Sequence, residues 1–452
     1  MGETVDSANE PKVSTLSTQR LAGFRLQPLC VLIFAMLVLG VVLRVHAFGF
    51  PDSFMFDEHH FVENARNYIN HQPDWNDHPP LGKLFIALSI QAFGDNPIGW
   101  RVPALIFGLV TLLCGGLAAG RAFQSRSAGW LAAAFLSVDG FLIAYSRAGL
   151  LDGYLASTLA MALLLTTFPV NLWTVILAGL TLGMAASIKF SGIAVALPLA
   201  VAALLSPVPK RKLVGFAAVL GAAAALVYFA QYATGLALTL KPASPVDVVN
   251  DTQRLLDHHA ALTDMKNPWV SGWITWGIPT RPPLLSYARH WGEVRVLSGL
   301  GNLALWWPGV LLTIVLVAVV CFKGVQTVLA TPNAESNADS ELVSASYGES
   351  VVAFVRCNGR ALLVWLAGCI GLVAPWVVSH RDSYIYHFLP SYMVIITILA
   401  GYIDWVRKRR PIDALLFVGL VLAVAAFYAP IWSSMVTSQD AVNARLFLRG
   451  WR

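Results

Sequence analysis

Apolar residues in this chain come in long runs, not in the alternation of a half-buried strand or the one-sided stripe of a soluble helix. Runs with few charges occupy 28–48, 100–120, 128–145, 150–168, 171–188, 190–206, 213–233, 302–322, 360–379, 387–404 and 412–430. A helix needs about 20 predominantly apolar residues to cross a bilayer, so the pattern predicts an all-α polytopic membrane protein with about eleven transmembrane helices. The polar breaks between runs set the orientation. "RAFQSR" (121–126), "PKRK" (209–212), the segment opening "FKGV" (322–359) and "VRKRR" (406–410) carry clusters of Lys and Arg. With the N-terminus inside, all of them fall on one face, and short loops rich in Lys and Arg stay cytoplasmic. The C-terminus is then expected outside.

The same pass divides the chain into a polar cytoplasmic tail, 1–26, and one multi-span unit, 27–452. Two segments assigned to the outer face are long. The first, 49–99, holds the polar "EHHFVENARNYINH", expected to be helical, and the apolar "PPLGKLFIALSIQAFG". That second stretch is short for a span and is expected to lie in the interface or re-enter the protein. The other, 234–301, contains "NPWVSGWITWGIPTRPP"; its Trp and Pro predict an ordered cap at the level of the lipid headgroups. The inner segment 323–358, with "TPNAESNADSELVSASYGES", reads as a flexible linker. No internal repeat is visible.

Composition agrees. The chain is 57% hydrophobic and 12% charged, about half the charge of an ordinary soluble domain. Its net charge of +6 sits in short clusters between apolar runs, which marks topology and not a nucleic-acid partner. The five cysteines, Cys30, Cys114, Cys321, Cys357 and Cys369, lie in apolar runs or in segments assigned to the cytoplasm, so no outer disulfide framework is implied. A phosphate-binding P-loop, a dinucleotide fingerprint and a G-x-S-x-G elbow are absent, which argues against a cytoplasmic nucleotide donor. An activated lipid is the natural alternative.

Against this oily background, "FMFDEHHFVENARNYINHQPDWNDHPPLGK" (54–83) is an anomaly. Six carboxylates, Asp52, Asp57, Glu58, Glu63, Asp74 and Asp77, and four histidines, His59, His60, His71 and His78, crowd just after the first run. They could simply face water. Phe54, Met55, Phe56 and Phe61 flank Asp57, however, and partial desolvation tunes a carboxylate as a base. Polar groups also recur at the outer ends of other helices: Arg101, Asp139, Arg147, Asp152, Lys189, and Arg381 to His387. Ionisable residues at membrane depth mark a substrate path or a paired site. The competing assignment is interhelical salt bridging, such as Arg147 with Asp152. A ring of cations with a carboxylate at its mouth suits an anionic lipid headgroup and a nucleophile that must lose a proton. The histidines fit no compact metal-ligand spacing, so a divalent cation is possible but not favoured, and no cofactor is expected.

"FDEHHF", "HPPLGK" and "WRVPALIFG" resemble the first outer loop and second helix of the protein O-mannosyltransferase family, multi-span C-type glycosyltransferases that use polyprenyl-phosphate sugars. The likeness continues in "YSRAGLLDGYLA", "GLTLGMAASIKFSG", "NPWVSGWITWGIP", "GLGNLALWWPG", "PWVVSHRDSYIYHFLPSYM" and "RLFLRGWR". The resemblance implies that Asp57 is the catalytic carboxylate and Glu58 its partner. It implies transfer of mannose from a polyprenyl-phosphate-mannose donor to Ser or Thr hydroxyls of exported proteins, with inversion, at the outer face of a cell membrane. Candidate donor-binding residues are His78, Lys83, Arg101, Arg147, Asp152, Lys189, Arg381, Tyr386 and His387.

Two departures stand out. Asn267-Pro268-Trp269 replaces the "HPY" common in the family, and 234–301 is too short for the lumenal domain of eukaryotic members, which favours a bacterial origin. The alternatives are a related transferase acting on a lipid or glycan, like the aminoarabinose transferases, and a transporter whose polar groups line a pore. Against the transporter, the polar residues gather at one side of the membrane.

Overall fold

Hydrocarbon offers no hydrogen-bond partners, so apolar runs satisfy their backbone groups internally as helices. The computed structural model describes residues 28–263, 267–329 and 347–452. The tail expected at 1–26 lies outside these residues. So does the middle of the expected linker: helix occupies both ends of 323–358, and 330–346 is not described.

Helix α1 (Pro28–Val45) is followed by two short helices, α2 (Glu58–Asn70) and α3 (Leu81–Phe93), then by the long α4 (Pro97–Ala122). Next come α5 (Arg126–Ser137), α6 (Gly140–Tyr145), α7 (Leu151–Leu165), α8 (Leu172–Ile188) and α9 (Ala196–Leu204). The long α10 (Lys210–Leu238) leads to α11 (Pro245–Ala260) and α12 (Leu303–Leu329), and helices Tyr347–Val378, Leu389–Arg407 and Pro411–Trp432 complete the bundle. Every apolar run of the sequence thus coincides with helix. Among the described residues, seven helical stretches are long and apolar enough to cross a membrane: Pro28–Val45, Pro97–Ala122, Lys210–Leu238, Leu303–Phe322, Val351–Val378, Ile385–Arg407 and Pro411–Trp432. The other runs are shorter or interrupted. Run 128–145, expected as one helix, breaks between α5 and α6 because the buried Asp139 turns back to cap α6, accepting from the Leu142 amide at 3.0 Å. It also accepts from the Asn302 amide and the Tyr392 hydroxyl, each at 2.8 Å, so the break joins three segments far apart in sequence.

The bundle has a centre and a lipid-facing rim. A window within Ile385–Arg407 is 94% buried, whereas Phe34, Leu113, Val214 and Ile314 are exposed on outer helices. At Gly40 the backbones of α1 and α5 touch, since a Cβ there would lie 2.3 Å from the Ser137 carbonyl oxygen. The helical bundle carries one small sheet. Leu284–His290 (β1) and Glu293–Ser298 (β2) form an antiparallel hairpin, joined at its edge by Thr437–Ser438 (β3). Its tip is Trp291-Gly292, both at positive φ (50° and 83°), the backbone of a tight two-residue turn.

Two of the basic loops, 121–126 and 406–410, meet at one end of the bundle. Ser125 donates to Asp404 at 2.6 Å, Arg407 reaches Ser127 at 3.3 Å, and Arg121 reaches Thr167 at 2.9 Å. The acidic segment after α1 lies at the other end, over the start of α4.

Candidate active site

Adjacent in sequence, Asp57 and Glu58 are divided by the first turn of α2. Phe56 sits at φ +47°, a conformation costly for a side chain that size, and the chain then enters the helix with Asp57 at the N-cap position. Aspartate is a favoured cap, yet here its side chain makes no capping hydrogen bond. The carboxylate instead lines a cavity with His78, Tyr145, Asp152, Lys189 and Tyr386. Burial pushes the Asp57 carboxyl above the ordinary aspartate range; His60 and Lys189 pull it down, and Asp152 pushes it further up.

Glu58 turns the opposite way. Its side chain is fully buried and receives Arg101 through Nε at 2.9 Å and Nη2 at 3.1 Å. It also accepts from the Met55 amide at 2.9 Å and the Gly149 amide at 2.8 Å. Arg101 donates further to the Pro51 and Ser53 carbonyls, at 2.8 and 2.9 Å. This pair clamps the 51–58 segment onto α4 and the 147–150 turn. Glu58, expected as a catalytic partner, therefore sets the position of its neighbour, and Arg101, expected at a phosphate, is already satisfied by protein acceptors.

Arg147, also expected at the phosphate, is likewise held by protein acceptors. Its guanidinium donates to the carbonyls of Leu43 (2.7 Å), Arg44 (2.9 Å), Ala47 (3.3 Å) and Ser433 (3.2 Å). The last carbonyls of a helix lack intrahelical partners and carry the negative end of its dipole, so an arginine at the end of α1 is held there. Arg44, which sequence reasoning passed over, does the same for α5, donating to Leu136 O at 3.2 Å and Ser137 O at 2.6 Å. Lys83 is buried too; it bonds Asn76 and, at 2.5 Å, the His78 carbonyl, and so shapes the turn that carries His78.

The remaining expected residues do converge. Asp152, in the first turn of α7, pairs with Lys189 at 2.8 and 2.9 Å, not with Arg147. Lys189 stands where α8 ends and the chain turns extended, which swings its ammonium towards Asp152. The Tyr386 ring lies 5.2 Å from that ammonium, and His387 Nδ1 is 3.9 Å from Asp152. His387 stacks on Trp376 with centroids 3.8 Å apart, and the Arg381 guanidinium lies 5.9 Å from the Trp376 ring.

Three adjoining cavities run through this cluster. One, of about 480 Å³, is lined by Lys189, His259, Arg381 and His387 together with apolar Ile193, Leu256, Pro375 and Trp376. Another, of about 630 Å³, is lined by Asp57, Glu63, Asn64, Asp74, Asp77 and Asn267 among others, and shares His78 and Arg381 with the first. The third, of about 20 Å³, lies between Asp57 and Lys189. The first lobe is cationic and oily, the second acidic and polar. In the first, Arg381 Nε, His387 Nε2 and His259 Nδ1 are buried without a hydrogen-bond partner among the described residues. Burial lowers the His259 pKa to about 4 and holds His78 well below its ordinary value, so both are neutral near pH 7. Burial works to raise Asp77, but His78 and Lys83 outweigh it and the carboxyl stays below its usual range.

His259, which nothing in the sequence marked as special, enters through the fold of α11. The candidate metal ligands scatter: His59 Nδ1 lies 3.3 Å from the Phe56 carbonyl, while His71 at the far end of α2 lies 3.3 Å from that of Leu238. Among the described residues no group of three or more His, Cys, Asp or Glu is placed to hold a metal ion.

Comparison with known proteins places this arrangement. Residues 34–236 match the family profile described as dolichyl-phosphate-mannose-protein mannosyltransferase, and 247–451 match the C-terminal four-transmembrane region of protein O-mannosyltransferase. Polyprenol-phosphate-mannose–protein mannosyltransferase of Mycobacterium tuberculosis is 25% identical over 485 residues, covering 88% of this chain and 86% of that protein. The Corynebacterium glutamicum protein of the same name is 30% identical over 178 residues, 31% of this chain and 34% of that one. In fold, the chain is similar to the Saccharomyces cerevisiae Pmt1–Pmt2 complex bound to its sugar donor, with TM-score 0.75, 14% identity, and coverage of 94% and 93%. It is also similar to ArnT of Cupriavidus metallidurans, with TM-score 0.55, 14% identity, and coverage of 92% and 67%.

Proposed function

This chain belongs to the protein O-mannosyltransferase family, and from that premise we propose that it transfers mannose from a polyprenyl-phosphate-mannose donor to Ser or Thr hydroxyls of exported proteins. It is a membrane glycosyltransferase, and its relatives over most of the chain carry the name polyprenol-phosphate-mannose–protein mannosyltransferase. The observation that carries the proposal is the meeting of two lobes at His78 and Arg381: an oily cationic lobe that holds Lys189, and an acidic polar lobe that holds Asp57.

The donor presents a phosphate on a hydrocarbon tail. Lys189 and Arg381 hold the phosphate, His387 and His259 add ring N–H donors, and the Ile193, Leu256, Pro375 and Trp376 surface receives the first prenyl units. Asp152 neutralises part of the Lys189 charge, so the ammonium directs a hydrogen bond without trapping the phosphate product. The acceptor enters over the polar lobe. Its hydroxyl attacks the anomeric carbon as Asp57 takes the proton; the bond from that carbon to the phosphate oxygen breaks, and the electron pair leaves with the lipid phosphate. Attack opposite the leaving group inverts the anomeric centre. The base works because Glu58 and Arg101 fix its backbone, and because partial burial raises its basicity.

The basic loops 121–126 and 406–410 meet at the end of the bundle away from Asp57, and with the positive-inside bias this supports a site on the extracytoplasmic face of the plasma membrane. No resident metal enters this scheme. Full activity after exhaustive chelation is the expected result; loss restored by one divalent cation contradicts it.

The direct test supplies purified protein with polyprenyl-phosphate-[³H]mannose and a Ser/Thr-containing peptide. Label on the peptide hydroxyl, lost in Asp57→Asn, supports the proposal. Label appearing only on a lipid or glycan acceptor reassigns the enzyme to the related transferases.

A further inference from the structure

One buried polar group in the site remains without a task. Tyr145 ends α6, its side chain is 1% exposed, and its hydroxyl has no hydrogen-bond partner among the described residues. Native structures rarely leave a buried hydroxyl unsatisfied unless a ligand or water completes it. The ring is held firmly. Phe141 meets it edge-on at 5.3 Å, and at Gly153 a Cβ would come within 2.8 Å of the Tyr145 carbonyl oxygen, so α7 packs directly on its backbone.

Tyr145 lines the small cavity of about 20 Å³ together with Asp57, Asp152, Lys189 and Tyr386. That volume admits one group the size of a hydroxyl or water, not a hexose ring. The neighbouring lobe of about 630 Å³, which shares Asp57, His78 and Tyr386 with it, has room for a ring. In an in-line displacement the transferred sugar lies between the base and the leaving phosphate. The small cavity is lined by both Asp57 and Lys189, the residues assigned to the base and to the phosphate. Asp57 also lines the open polar lobe, to which the acceptor is assigned.

We propose that Tyr145 is a specificity-determining residue whose phenol hydrogen-bonds one hydroxyl of the hexose being transferred. The inference rests on the assignment of Asp57 as the base and Lys189 as a phosphate ligand. A site built to bond a hydroxyl rejects an analogue lacking it, because the buried partner is then left unpaired; a purely apolar pocket discriminates far less.

The experiment compares the full-length enzyme with Tyr145→Phe on polyprenyl-phosphate-mannose and on donors deoxygenated singly at C2, C3, C4 and C6. The wild type should use one deoxy donor much less well than mannose. Tyr145→Phe should lower kcat/KM for mannose about tenfold, the value of one hydrogen bond. It should use that one deoxy donor as well as mannose, and treat the other deoxy donors as the wild type does. Equal loss on every donor, with preferences unchanged, shows a packing role and overturns the proposal, as does a variant indistinguishable from wild type. A wild type that transfers no mannose at all removes the functional assignment itself and this inference with it.

Discussion

The Glu58 carboxylate meets the Arg101 guanidinium at 2.9 Å, both side chains wholly excluded from solvent. Two backbone amides complete the carboxylate and two carbonyls complete the guanidinium. Removing one partner of such a pair leaves a buried charge, at a cost of about 3–5 kcal/mol. Glu58→Gln and Arg101→Ala should therefore lower the thermal unfolding midpoint in detergent markedly. Unfolding followed by tryptophan fluorescence checks this; a midpoint unchanged in both variants contradicts the clamp.

Asp57→Asn should behave in the opposite way. The side chain caps nothing, so the unfolding midpoint should stay near that of the wild type. Turnover should fall by roughly two to four orders of magnitude, the usual contribution of a general base, with donor affinity little changed. Single-turnover transfer with saturating donor measures it. Near-normal turnover in the Asn variant would remove Asp57 from the chemistry.

The same carboxylate sets a pH dependence. Its pKa is raised, chiefly by burial, and a base acts only when deprotonated. Activity should then be present at neutral pH and fall as the pH drops, with the acid limb of kcat/KM above 3.8, the ordinary value of an aspartate. A limb at or below that value contradicts a desolvated base.

The arginines divide into two classes. Both Arg381 and Arg147 have a buried Nε without a partner among the described residues, but Arg381 lines the cationic lobe, whereas the two terminal nitrogens of Arg147 donate to four carbonyls. Arg381→Ala should weaken donor binding about ten- to a hundredfold, as expected for one charge-assisted bond, with folding preserved. Arg147→Ala should lower stability first, because it leaves the end of α1 uncapped. Titration with polyprenyl-phosphate-mannose, beside thermal unfolding, separates the two; equal effects of both variants on affinity alone refute the division.

Orientation is open to a chemical test. Cysteines placed singly at Ser53 and Lys210, both exposed, in a cysteine-free background should differ in intact cells. An impermeant maleimide should label position 53 and spare 210. The reverse pattern places the Asp57 end in the cytoplasm.

Much of this protein was legible in its sequence because a bilayer imposes a simple rule. Apolar runs must be largely helical, and every predicted run is built mainly of helix, with 128–145 broken at Asp139; the basic loops 121–126 and 406–410 meet at one end of the bundle. The anomalous acidic stretch and the family blocks likewise marked Asp57, His78, Asp152, Lys189, Arg381, Tyr386 and His387, which surround one groove. The roles of like residues were not legible. Arg101, Arg147 and Arg381 look equivalent in the string, since each is a cation at a helix end. Whether a guanidinium awaits a ligand depends on which carbonyls and carboxylates lie within 3 Å or so of it, and those come from residues 43 to 433, brought together only by packing. Periodicity also missed the hairpin Leu284–Ser298, whose inward valines needed a neighbouring surface to give them meaning, and Tyr145, one aromatic among many apolar neighbours. Sequence determines what a residue can donate or accept; tertiary structure decides whether that capacity is already filled.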